Sequence, residues 1–252
     1  MIKSPQIILF LGSLVTLIFT NCSKKETLEV DNESQSVVDY AIADQEFMGL
    51  ISAASIGALQ FTVTGVQNFT HIINAQSMPD GKERSGRINI SRITQSKTPG
   101  SQMVFKMDNC WASAINYTCD SIIVTTTESN NDFTNFHVVL VNGSCKTSDF
   151  TIKYKFDRTF ILYANGDSGG SYPLTYVYGS ASGTNRSNGG FSTSVAQGTW
   201  LVKRANCAYI NSGTMELTPD GFKTRTINFG DGTCDDQATF TVKENTVAFK
   251  LK

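Results

Sequence analysis

The sequence predicts an all-β protein: a large antiparallel assembly, built as a sandwich, a barrel or an extended twisted sheet, preceded by one N-terminal amphipathic helix. Three observations predict it. Apolar and polar residues alternate with period two: Ile88 and Ile90 with Arg87, Asn89 and Ser91, and Val247, Phe249 and Leu251 with Ala248 and Lys250. Such alternation buries one face of a strand and wets the other. Turn signals recur about every ten residues, at Pro79-Asp80-Gly81, Pro99-Gly100, Asn142-Gly143, Asn165-Gly166, Pro219-Asp220-Gly221 and Gly230-Asp231-Gly232. Charged residues make up only 17% of the 252, and the abundance of Ser, Thr, Asn and Gly suits short strands and turns better than a helical bundle.

In chain order, Lys3 precedes an apolar run from Ile7 to Phe19, after which Thr20-Asn21-Cys22 meets a polar stretch. One positive charge and a short apolar core form a secretory leader, expected over residues 1–21. The run of about 13 residues is too short for a membrane span, which needs roughly 20. Cys22 at that junction resembles the lipobox of bacterial lipoproteins, although Asn21 stands where a small residue is usual. The resemblance implies lipidation of Cys22 and a membrane partner reached through the lipid. Ser23 follows, where aspartate favours the inner membrane in Gram-negative systems, so the expected address is the outer membrane, with its periplasmic and surface faces both open. Residues 22–33 are expected to be a lipidated tether, polar and without periodicity.

From residue 34 to 60 the apolar residues Val37, Val38, Ala41, Ile42, Phe47, Met48, Ile51, Ala54 and Ala58 recur at spacings near three and four. That pattern predicts an amphipathic helix, capped by Ser34 or Ser36, whose apolar stripe covers a sheet. Residues 61–252 are expected to form the antiparallel β domain. Ser180 to Gly190, rich in Ser, Gly and Asn, is the best candidate for a mobile loop.

The chain carries 21 basic and 22 acidic residues, scattered rather than massed, which gives no electrostatic reason to expect nucleic acid as a partner. Of six cysteines, Cys22 is assigned to lipid. Export permits disulfides. Cys207 and Cys234 lie about equally far from the turn Pro219-Asp220-Gly221, so a hairpin returns them to one another, within the 4.4 to 6.8 Å Cα separation of a bridge. Cys110 and Cys119 are candidates for a second bridge, leaving Cys145 over. No C-x₂-C pair occurs and the histidines are His71 and His137, which argues against structural zinc; no cofactor is expected.

The last forty residues are the most distinctive. Thr-Pro-Asp-Gly221 is followed by Thr224-Arg225-Thr226-Ile227-Asn228-Phe229-Gly230-Asp231-Gly232-Thr233-Cys234-Asp235. This resembles the C-terminal signature of an uncharacterised Bacteroidetes lipoprotein family, with Asn228 in place of the usual aspartate. Gly81-Lys-Glu-Arg-Ser-Gly86-Arg-Ile-Asn-Ile and Gly179-Ser-Ala-Ser-Gly-Thr-Asn-Arg186 resemble two further segments of the family. An Asp-Phe-Gly-x-Gly-Cys run usual just upstream of the first is missing here. The resemblance implies export, lipidation and an all-β fold, and no activity.

Three motifs bear on chemistry. Gly166-Asp167-Ser168-Gly169-Gly170 matches the nucleophile motif of trypsin-like proteases, but neither His71 nor His137 has the sequence context of the histidine base that chemistry needs. Asp231, Asp235 and Asp236 are calcium candidates by oxygen count, although their spacing is not that of an EF-hand and an Asp-Gly turn explains the same residues. Tyr172, Tyr176 and Tyr178 share one parity and would line one strand face, where aromatic rows stack on sugar rings or stabilise the sheet through cross-strand pairs. No catalytic set emerges. The expected role is therefore non-enzymatic, binding an extracytoplasmic ligand, glycan or protein, or joining a surface assembly. The rivals are a polysaccharide-acting hydrolase, with Asp157, Asp167, Glu216 and Asp231 as available carboxylates, and a purely structural envelope subunit.

Overall fold

A computed structural model describes residues 31, 33–59, 67–77, 80–92, 97–166 and 172–251. The expected leader, Cys22, most of the expected tether and residues 167–170 lie outside the described residues, as do the side chains of residues 52–79 and 92.

One helix, α1 (Gln35–Leu59), precedes the strands β1 (Gln67–Ser77), β2 (Glu83–Arg92), β3 (Gln102–Ala112), β4 (Ile115–Thr118), β5 (Ser121–Ser129), β6 (Thr134–Lys146) and β7 (Thr151–Tyr163). There follow β8 (Leu174–Thr184), β9 (Gly190–Val195), β10 (Leu201–Arg204), β11 (Ser212–Pro219), β12 (Arg225–Asp231), β13 (Gln237–Val242) and β14 (Asn245–Lys250). All described pairings are antiparallel and join the strands into one 14-stranded sheet, mostly in chain order, with β5 between β3 and β6 and β9 between β8 and β11. The strand alternation places Ile88, Ile90, Ile122, Val124, Phe156 and Ile227 inside. The alternation of β14 has a different outcome: Val247 is exposed on this edge strand and only Leu251 beyond it is buried.

Neighbours along the helix meet strands from across the sheet. Arg84 of β2 reaches Glu46, the Tyr117 ring of β4 packs edge-on against Phe47, Arg158 of β7 reaches Asp44, and Phe191 of β9 packs edge-on against Tyr40. Arg225 of β12 holds the Glu33 carbonyl just before the helix. A sheet whose second and ninth strands both touch one helix, and whose twelfth reaches the residue before the helix start, curls around it. Irregularities in the ladder allow the bending: Gly86 in β2 sits at φ 125°, and a Cβ there would lie 2.4 Å from the Asn109 carbonyl oxygen of β3. Asn142-Gly143, expected to be a turn, is instead a bulge within β6, with Asn142 at φ 49° and its amide donating to Asp120.

The helix therefore differs from the amphipathic stripe its spacing predicts. Asp39, Asp44, Gln45 and Glu46 are as buried as Tyr40, Phe47 and Met48, so its polar side faces the sheet interior too. Its start is also specific. The Ser34 carbonyl accepts the first helical bond from Val38, while the Glu33 carboxylate accepts from the Ser36 N–H at 2.7 Å and Ser36 Oγ accepts from Asn185. A carboxylate at the positive end of the helix is favourable.

Each buried acid of the helix has a basic partner from a strand or from a turn between strands. Asp44 accepts from Arg158 at 2.5 Å and from the hydroxyls of Tyr40 and Tyr154, both at 2.6 Å. Glu46 accepts from Arg84 at 3.1 Å and pairs with Lys82, and Arg84 also grips Asp80 through two bonds of 2.9 Å. Asp39 accepts from the backbone and guanidinium of Arg186, and Asp31 pairs with Arg225. Burial works against the Arg158 charge, but the adjacent Asp44 carboxylate outweighs it and raises the arginine's pKa further. Burial also holds the Tyr40 and Tyr154 hydroxyls well above the ordinary phenol range. Unpaired, these acids and arginines would each cost several kcal/mol to bury.

Cys207 and Cys234 form a disulfide with a Cα separation of 5.7 Å, as the hairpin symmetry predicts: β11 and β12 pair in register from Leu217↔Arg225 to Thr214↔Asn228. The second bridge is corrected. Cys110 and Cys119 are free thiols, as is Cys145. In the β3–β4 ladder Cys110 sits opposite Tyr117, leaving Cys119 diagonal to it; the Cys110 thiol donates to the Arg87 carbonyl, and Cys119 has a backbone hydrogen bond with Met107. Burial pushes the Cys119 thiol up to about 11, which keeps it protonated and unreactive. Beside the disulfide, buried Lys203 donates to the Cys207 carbonyl at 2.6 Å, and burial pushes its pKa down to about 8.

Candidate functional site: an aromatic shelf on the outer face

The curled sheet spends its inner face on the helix, so any ligand surface has to be sought outside. On β7 and β8 the outward residues are Thr159, Ile161 and Tyr163, and Tyr176 and Tyr178. The register sets Ile161 against Tyr176 and Thr159 against Tyr178. The next strand, β10, begins at Leu201, opposite Val177, so Trp200 arrives beside Tyr178. The rings then pack in sequence: Tyr163 meets Tyr176 edge-on at 5.6 Å, Tyr176 meets Trp200 edge-on at 5.2 Å, and Tyr178 leans on Trp200 at 5.9 Å. Phe133 extends the row beyond Tyr163 at 5.7 Å. Each contact contributes about 0.5–1.5 kcal/mol beyond area burial, so the row is a rigid surface of half-buried rings.

A cleft of about 560 Å³ opens along this row, lined by Tyr163, Tyr176 and Trp200 and by Thr199, Ser212 and Thr214. Gly213 makes the cleft possible. It sits at φ 109°, and a Cβ there would lie 2.0 Å from the Trp200 carbonyl oxygen, so any side chain would push the tryptophan segment away. Flat apolar rings beside hydroxyl groups offer both stacking and hydrogen bonding to one ligand.

The three predicted tyrosines divide. Tyr176 and Tyr178 lie on the shelf, whereas Tyr172 precedes β8 and is 52% exposed. Tyr154, which the sequence pattern sets outside the core, is buried in it instead. Tyr163 and Trp200 complete the shelf, and only strand register brings them to the tyrosines.

The remaining candidates are accounted for by local structure. The Asp231 carboxylate accepts from the backbone and hydroxyl of Thr233, which hold it below the ordinary carboxylate range. Asp235 accepts from the Gln237 N–H, and Asp236 pairs with Lys250. These bonds tie Asp231 and Asp235 into their own turns and Asp236 to β14, and among the described residues no group of three His, Cys, Asp or Glu side chains converges on a metal position. His137 contacts Asp157 at 2.6 Å on the outer face; the serine of the protease-like motif lies outside the described residues. Asp157 and Glu216 share an outward row through Ser180 and Ser194. Three strand spacings separate them, about 14 Å, wider than the roughly 5 to 10 Å between the carboxylates of a glycosidase.

Comparison with protein-family models, with curated proteins and with solved structures gives no match.

Proposed function

We propose that this chain is an envelope-anchored lipoprotein that binds a glycan on the outer face of its sheet and performs no chemistry on it. The observation that carries the reading is the half-buried row Tyr163–Tyr176–Trp200 beside a cleft edged with hydroxyls. The faces of pyranose rings are apolar and their rims are hydroxylated, so this mixture of surfaces complements them. Burial of the helix supports the reading indirectly, since it leaves the outer face as the larger free surface. The anchor rests on Cys22 at the end of the apolar leader.

Two experiments test these halves separately. Oligosaccharides titrated against the full chain, followed by tryptophan fluorescence, are expected to perturb Trp200, and Tyr176→Ala is expected to weaken binding by about tenfold, or 1.4 kcal/mol. Absence of binding across a broad glycan panel would end the proposal. For the anchor, radiolabelled palmitate is expected to enter the wild-type chain and not Cys22→Ala; equal labelling would remove it.

A further inference from the structure

The aromatic shelf is one end of a longer outward strip. Along β7 the outward residues before Thr159 are Asp157, Lys155 and Lys153. Lys155 stands opposite Ser182, which stands opposite Ser192, and Lys153 stands opposite Thr184. A cavity of about 770 Å³ lies over this end, lined by both lysines, these hydroxyl residues and Asp220. Thr159 marks the shelf because it pairs with Tyr178. At about 3.3 Å per residue, the lysines begin roughly 13 Å from the rings and end roughly 20 Å away.

The strip carries two lysines and two carboxylates, and their partners differ. Among the described residues neither Lys153 nor Lys155 forms an ion pair, while Asp157, the carboxylate next along the strand, is engaged by His137 at 2.6 Å. Asp220 lies at the far edge, over Gly190, where a Cβ would come within 2.2 Å of its carboxylate. The floor between is made of Ser, Thr and Gly, short side chains that leave the ammonium groups standing above a hydroxylated surface. Neutral sugar hydroxyls suit that floor, and carboxylates suit the two lysines.

We infer that the ligand of the shelf is an acidic oligosaccharide, a chain containing uronic acids, which stacks on Tyr176, Tyr178 and Trp200 and carries its carboxylates along the strand to Lys155 and Lys153. This rests on the glycan reading of the shelf and adds to it the charge and direction of the ligand. Ion pairs this exposed weaken with salt, because the screening length falls to about 3 Å at 1 M.

The test uses the full chain and uronate oligosaccharides prepared from polygalacturonate, alginate and hyaluronan, each beside its carboxyl-reduced neutral form. At low salt at least one acidic form is expected to bind about tenfold more tightly than its reduced form. That ratio is expected to fall toward one in Lys153→Gln/Lys155→Gln, whose substitutions are on exposed positions, and in roughly 1 M salt. Tyr178→Ser is expected to weaken the acidic form as well, since one ligand spans both ends. Equal binding of acidic and reduced forms, a ratio that survives the double substitution, or indifference to Tyr178→Ser would each overturn the inference while leaving a glycan-binding shelf. If no oligosaccharide of either kind binds, the shelf reading fails and this inference with it.

Discussion

Replacing Asp44 by alanine is expected to destabilise the fold by about 3–5 kcal/mol, because Arg158 is then left charged and unmatched at the centre of the molecule. Both side chains are fully buried, at 0% exposure. The Asp44 carboxylate also accepts the Tyr40 and Tyr154 hydroxyls, so the same substitution strands two phenols. Against a total stability of about 5–15 kcal/mol for a domain, this can unfold the chain at ordinary temperature. Urea denaturation of Asp44→Ala, Arg158→Met and the pair Asp44→Leu/Arg158→Met separates two causes. If the penalty comes from an uncompensated charge, the double variant is more stable than Asp44→Ala, since apolar replacement of a whole buried pair is often neutral. A double variant whose loss equals the sum of the losses of Asp44→Leu and Arg158→Met, each measured alone, would show that the pair contributes no coupling.

Removing the disulfide has the second largest expected effect. The bridge closes a loop across a separation of 27 residues, for which chain entropy predicts about 3.5 kcal/mol of stabilisation. Cys207→Ser/Cys234→Ser is expected to lose roughly that amount in urea denaturation. Because Cys110, Cys119 and Cys145 are free thiols, a reductant should lower the wild type to the level of the double variant and leave the variant unchanged. A wild type indifferent to reductant would contradict the brace.

What the sequence revealed follows from how local each signal is. Alternation at Ile88/Ile90 and at Ile122/Val124 is a neighbour property, and so is the turn at Pro219-Asp220-Gly221, so strands, hairpin and disulfide were legible. The burial of Asp39, Asp44 and Glu46 was not. Their arginines lie 147, 114 and 38 residues away, and an acid with a distant partner is indistinguishable in sequence from an acid facing water. The three acids therefore made the helix look amphipathic. The same limit hid the shelf. Tyr176 and Tyr178 share a strand, which parity shows, whereas Tyr163 and Trp200 join them across two strand pairings. Asn142-Gly143 was misleading for a different reason: positive φ serves a bulge as well as a turn.

The placement of the helix decides where ligands can go. Enclosed, it fills the inner face and makes the aromatic shelf and lysine strip the working surface; peripheral, it would leave the inner face open for binding. Native-state hydrogen exchange resolves this directly. The amides from Val37 to Leu50 are expected to exchange only through global unfolding, with opening free energies equal to those of the central strands β6 and β7. Exchange of those amides at markedly lower free energy than the strands, as from a helix resting on a surface, would contradict the architecture and move the search for a ligand inside the sheet.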